Sequence, residues 1–352
     1  MAPRAIAFLM FGLAALPGFA QQTKQTGQQA QDTAQQPIKV QVNEVIVPVT
    51  VTDDKGRFIS NLDQKDFQIF DQGKPQKITY FTRERNQPVV VGFLVDLSNS
   101  SRSQWKNWES AAEEMVTQML PDDNPEMRKR FSGYLIGFGN QAEVMVDTTS
   151  DSNPILEKLR KLKPGGGAAF FDAIYEACTN RKLVTGEPVE PRRVIIVIGD
   201  GNDNSSGKTL NQVVELAQRN LVTIYAISTV YSGFTSEGSG NLERLATETG
   251  GRVEYPLANP YKDTVNGYLS TPHDEGNYAL QPGTGGYASV VSSAIFGAVA
   301  NVVGEVTTQY ILRYIPDATA QDSPRQFRAI NVKVALPDVK VRARSGYYPF
   351  AP

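Results

Sequence analysis

Between residues 88 and 307 the chain alternates short, unbroken apolar runs with stretches of helical period. This alternation limits its possible folds more than any other feature. The runs are PVVVGFLVD (88–96), FSGYLIGFG (131–139), AEVMVDTT (142–149), RRVIIVIGD (192–200), LVTIYAIST (221–229) and the short RVEYP (252–256). Helical patterns fall near 103–120, 151–162, 171–184, 208–220, 240–250 and 288–306. Runs of Val, Ile and Leu without polar alternation belong to strands covered on both faces. Strands that alternate with helices predict an α/β, doubly wound, mostly parallel sheet. Sheets of this kind bind ligands beyond the carboxyl ends of their strands. Asp96 and Asp200 each close a buried run, so each is expected at such an end.

The flanks read differently. In NEVIVPVTVTDD the residues Val45, Val47, Val49 and Val51 alternate with less apolar neighbours, the period of a half-buried strand. Pro48 lacks an N–H and argues for an edge strand or a break. DFQIF and KITYFTRE follow as strands, separated by the turn signal DQGK. At the other end TTQYILRYIP, FRAINVKVALP and DVKVRAR are again β, with Ile330, Val332, Val334 and Leu336 in alternation. Each flank is too small for a core of its own. Residues 38–87 and 308–352 are therefore expected to pack together as a small β-sandwich, with residues 88–307 inserted between them.

The first residues carry an address. MAPRAIAFLMFGLAALPGFAQQ has Arg4, a short apolar stretch and a small-residue site ending at Ala20, the pattern of a secretory signal peptide over 1–20. Residues 21–37, a glutamine-rich polar tract, are expected to be a disordered linker. Export predicts a periplasmic, cell-surface or extracellular protein with no transmembrane segment after cleavage. The apolar stretch 288–306 is read as a buried, sheet-covering helix because Glu305 and several Ser and Gly interrupt it. Cys178 is the single cysteine, so no internal disulfide can form, and its place in a helical pattern predicts a buried, inert thiol. The 35 Lys and Arg against 37 Asp and Glu, without a long basic run, argue against nucleic acid as a partner.

The stretch DLSNS (96–100) places one carboxylate and two hydroxyls, Asp96, Ser98 and Ser100, at alternate positions leaving a strand. Such a hard-oxygen set suits Mg²⁺ or another divalent cation, and Asp200 adds a second carboxylate from another strand end. Each piece alone also reads as a helix cap. DLSNS resembles the Asp-x-Ser-x-Ser motif of von Willebrand factor type A (vWA) domains, IGDGNDNSS resembles the segment with that family's second acidic residue, and LKPGGGAAFFDAIYEA resembles its Gly-Gly-Thr loop. The flanks are similar to the ends of secreted bacterial VWFA-related proteins. The resemblance implies a divalent cation held by Asp96, Ser98, Ser100 and Asp200, with an open position for an acidic residue of a protein partner. It also brings a departure: Ala168 stands where the family has a metal-binding Thr, and GGGAA offers no side-chain oxygen. Only a backbone carbonyl or a water could take that place.

Other chemistries fit poorly. GNDNSSGKT nearly matches a phosphate loop, but Asn202 replaces the first Gly, so no nucleotide is expected. His273 is the only histidine and lies in a Pro/Gly-rich loop, which leaves no triad or zinc cluster and argues against an enzyme. The long connection 256–288 carries Tyr261, Tyr268, Tyr278 and Tyr287 and is a candidate partner-binding loop beside the metal site. The sequence therefore predicts an exported, non-enzymatic protein-binding or adhesion module with a degenerate metal-ion-dependent adhesion-type site. The alternative is a metal-independent envelope scaffold or assembly component with a vestigial site.

Overall fold

A computed structural model describes residues 44–83, 88–184, 191–230, 237–258, 285–316 and 326–349. The described residues all belong to one compact unit. The central sheet is built from β5 (Val89–Asp96), β6 (Phe131–Phe138), β7 (Ala142–Thr149), β8 (Arg192–Gly199), β9 (Thr223–Ser228) and β10 (Val253–Glu254). Their order is β10-β9-β8-β5-β6-β7, parallel throughout except that β7 runs antiparallel on β6. The unbroken apolar runs have their expected cause. In β5, Val89, Val91, Phe93 and Val95 enter one core and Val90 and Leu94 the other. Each fully buried side chain of this kind contributes about 1.5–3 kcal/mol.

The first core lies under α1 (Trp105–Met119), α3 (Asn153–Leu159) and α7 (Gly285–Thr308). The second lies under α4 (Phe170–Thr179), α5 (Leu210–Arg219) and α6 (Glu237–Thr249). The short α2 (Pro125–Arg130) leads into β6. By length and composition α7 could cross a membrane. In this fold its Val291, Ile295, Val299, Val302 and Val306 cover the sheet, and its Glu305 is fully buried. Cys178 is buried on α4 in the second core together with Ile174, and burial pushes its thiol up to about 12.

The two ends of the chain make two further sheets. The remaining strands are β1 (Val45–Thr52), β2 (Phe67–Asp71), β3 (Lys74–Gln76), β4 (Ile78–Thr82), β11 (Tyr310–Tyr314), β12 (Arg328–Val334), β13 (Lys340–Arg342) and β14 (Gly346–Tyr347). The orders are β13-β1-β11-β4 and β14-β12-β2-β3, so each sheet interleaves strands from both ends. Val45, Val47, Val49 and Leu312 from one sheet meet Phe67, Ile69, Ile330 and Tyr347 from the other in a shared core. Pro48 is tolerated because β13 pairs only with Thr50–Thr52, leaving β1 with a single described neighbour at Pro48.

One expectation needs correction. β1 is not half-buried: all eight residues are buried. Its second face is covered where the end sheets meet the central unit. There Glu305 Oε1 accepts from Thr50 Oγ1 at 2.9 Å, and Oε2 pairs with Arg342 Nη2 at 2.6 Å and Arg252 Nε at 3.2 Å. Gln309 Nε2 donates to Thr50 Oγ1 at 3.1 Å and to the Tyr225 hydroxyl at 2.8 Å. A second seam follows β13, where Arg344 donates to the Leu221 carbonyl at 2.9 Å and the Ser345 hydroxyl to that of Glu248 at 2.9 Å.

Candidate functional site

β5 and β8 lie side by side with Val95 opposite Ile198, which brings Asp96 and Asp200 to the same edge of the sheet. Asp96 is 2 % exposed and Asp200 8 %. Asp96 Oδ1 accepts the Ser98 amide at 2.7 Å, and Asp200 Oδ1 accepts the Asn202 amide at 2.9 Å. These tight turns aim both loops away from the strand ends. Gly201 adopts φ 77°, and a Cβ there would collide with the Gly238 backbone, so the turn after Asp200 requires glycine. Gly199 leaves room for Asp96: a Cβ on it would stand 2.9 Å from the Asp96 Cβ.

The polar groups converge on one open acceptor. Ser98 and Ser100 share a hydrogen bond between their hydroxyls at 2.7 Å. Asp96 Oδ2 is buried and has no hydrogen-bond partner. Burial holds the Asp96 carboxyl above its usual range and the charge of Asp200 adds to this, while the Ser98 amide and the nearby Ser98 and Ser101 hydroxyls work against both. A buried carboxylate oxygen without a donor costs free energy unless a cation or donor answers it. Asp96, Ser98, Ser100 and Asp200 together are oxygen donors fit for a small hard cation. Among the described residues no three His, Cys, Asp or Glu side chains group to hold a metal. A cation at this edge would therefore depend on the hydroxyls.

The glycine loop reaches the same edge but brings no side-chain oxygen. Ala168 is buried, with 2 % exposure. Its carbonyl is already engaged, accepting the Asn204 amide at 3.0 Å and the Ser205 amide at 3.2 Å. The Ala168 carbonyl is thus committed elsewhere, which leaves another backbone carbonyl or a water for that place. The loop is tied to the Ser98 segment by Asn99 N to Gly166 O at 3.0 Å and Gly165 N to Leu97 O at 2.7 Å. The phosphate-loop likeness of 201–209 also has a structural answer. Gly207 and Lys208 donate their amides to the Asp172 carboxylate at 3.0 and 3.1 Å, so an internal acid occupies them.

Asn140, Asp172, Asp203 and Asn204 shape this site and were not among the sequence candidates. Their signal is weak, a scatter of Asn and Asp in loops, because each acts across tens of residues. Tyr261, Tyr268 and Tyr278 lie outside the described residues, as does most of 256–288.

The family model of the von Willebrand factor type A domain matches residues 91–260. The chain contains a vWA domain. Among solved structures it is similar to BatB from Bacteroides thetaiotaomicron, at 19% identity over 47% of this chain and 88% of that one, TM-score 0.37. It is similar to a von Willebrand factor type A protein from Catenulispora acidiphila, at 18% identity over 51% and 42%, TM-score 0.40. It is also similar to proximal thread matrix protein 1 of the mussel byssus, the form with a zinc occupied MIDAS motif, at 15% identity over 68% and 50%, TM-score 0.42. No curated protein matches the chain. As a class, vWA domains are interaction modules, generally non-enzymatic, and often bind a divalent cation.

Proposed function

We propose that this chain is an exported, non-enzymatic protein-binding module whose vWA domain uses a weakened metal-ion-dependent adhesion-type site. The observation that carries the reading is Asp96 Oδ2, a buried acceptor left without a partner beside the Ser98–Ser100 hydroxyl pair. Ser98 and Ser100 would hold Mg²⁺ or a similar cation directly, and Asp96 and Asp200 directly or through water. Such a cation would supply an open position for a carboxylate of a protein partner. Mg²⁺ keeps several waters and is held by few protein groups, which suits a site that lacks the loop oxygen. The signal-like residues 1–20 support export, and Tyr261, Tyr268 and Tyr278 are the candidate partner contacts.

A second reading has its own support. The Ala168 methyl and the engaged Ala168 carbonyl favour a metal-independent scaffold of the cell envelope. Calorimetric titration of Mg²⁺, Mn²⁺ and Ca²⁺ separates the two. Saturable binding in the wild type that is lost in Asp96→Ala supports the first reading. Absence of binding by all three cations overturns it in favour of the scaffold.

A further inference from the structure

We propose that Asn204 is a positioning residue of this site, holding the glycine loop 165–169 in place whether or not a cation is bound. The functional meaning of this role rests on the metal-site reading above, but the clasp itself stands on geometry. Asn204 grips Ala168 at two points. Its side-chain Oδ1 accepts the Ala168 amide at 2.8 Å, while its own amide donates to the Ala168 carbonyl at 3.0 Å. The Ser205 amide joins on the same carbonyl at 3.2 Å. A pair of bonds in opposite senses between two residues fixes both their separation and their relative rotation.

The clasp is oriented and supported. The Ser205 hydroxyl donates to Asn204 Oδ1 at 2.8 Å, so two donors converge on that atom and set which way the side-chain amide faces. On one flank Gly167 donates its amide to Asn140 Oδ1 at 2.6 Å. On the other, Phe171 donates to Asp203 Oδ2 at 2.8 Å and Asp172 to the Ser206 hydroxyl at 2.9 Å. The loop 203–206 therefore meets the glycine loop and the first turn of α4 bond by bond. Gly166, at φ 97°, provides the reversal that turns these amides toward their partners.

Asn204 is exposed, so the clasp works through hydrogen bonds rather than packing. This matters at a site whose loop has no metal-bonding side chain. A cation could not order that loop through a side-chain bond, and Asn204 orders it beforehand. Cation binding then meets a preformed wall and bears none of the loop's ordering entropy.

The test is amide exchange by nuclear magnetic resonance on the purified protein, in EDTA and in Mg²⁺, with calorimetry on the same samples. The Ala168 amide is expected to be protected equally in both conditions. Asn204→Ala should speed its exchange roughly tenfold, the loss of one side-chain hydrogen bond. Asn204→Asp keeps the acceptor oxygen and should restore the protection. An Ala168 amide that exchanges freely in EDTA and slows only with Mg²⁺ would overturn the clasp, as would exchange unchanged in Asn204→Ala. If the wild type binds cation, an Asn204→Ala affinity equal to wild type would overturn the positioning role. A wild type that binds no cation counts against the metal-site reading alone and leaves the exchange result standing.

Discussion

Asp96 and Cys178 are both buried, yet burial has opposite consequences for them. The Asp96 carboxylate keeps one oxygen without a donor and faces the charge of Asp200, so the fold bears a cost at this position. Asp96→Asn removes the charge and keeps an acceptor for the Ser98 amide. In EDTA it should raise stability by about 1 kcal/mol, read as a higher melting temperature, while abolishing cation binding. A melting temperature below that of the wild type in EDTA would contradict this account. Cys178 has the reverse character. Its thiol is pushed up to about 12 by burial, so the native protein holds it protonated where a free thiol ionises. Below its ordinary value of 9.0 both folded and unfolded states keep the proton, and stability is unaffected. As the pH rises from there toward about 12, the unfolded state loses the proton first, and the contribution of the thiol to stability falls. At pH 8 a thiol reagent should label Cys178 only after denaturant is added.

Helix α7 is the element in which length and composition mislead most easily. Its apolar stretch satisfies the dimensions of a membrane span, yet Glu305 near its end accepts from Thr50 and pairs with Arg342 and Arg252. A fully buried carboxylate can persist only with such partners. Glu305→Ala leaves Arg342 and Thr50 without this acceptor and takes from Arg252 one of its two carboxylate partners, the other being Glu254. It should cost about 3 kcal/mol, measured by urea unfolding, and Glu305→Gln should cost less because it keeps one acceptor oxygen. Strand β2 carries a comparable device. Asp71, fully buried, accepts from the Tyr314 hydroxyl at 2.9 Å, the Tyr347 hydroxyl at 3.0 Å and Arg328 Nε at 3.0 Å. These bonds tie β2 to β11, β12 and β14, elements from the other end of the chain.

At the scale of the molecule, the interleaving of chain ends makes the vWA domain and the end sheets depend on each other. β1 needs β11 and β13 beside it, and β2 needs β12. A chain ending at Thr308 removes all three partners and exposes the Glu305 seam. In that variant residues 44–83 should become sensitive to protease, while the full chain resists cleavage there. Equal resistance in the two would show that the first end folds without the second. The full chain should unfold in urea as one cooperative transition, since charged seams join the parts. Two well-separated transitions would argue that the parts fold independently.

The central sheet, the strand-end carboxylates and the burial of Cys178 were legible in the sequence because each follows from local pattern. Unbroken apolar runs require two covered faces, and a carboxylate closing such a run must sit at a strand end. The second face of β1 was not legible, because residues distant in the chain meet it, with Thr50 bonding to Glu305 and Gln309. Nor was the role of Asn204, which meets Ala168 across 36 positions. Local sequence sets which faces are apolar and where chains turn. Which loop meets which is decided when the elements pack, since a hydrogen bond between two loops depends on positions that neither loop encodes alone. For this protein the sequence by itself determined the sheet and the oxygens at its edge. Only the tertiary structure decided that the Ala168 carbonyl is already occupied and that one oxygen of Asp96 is left open.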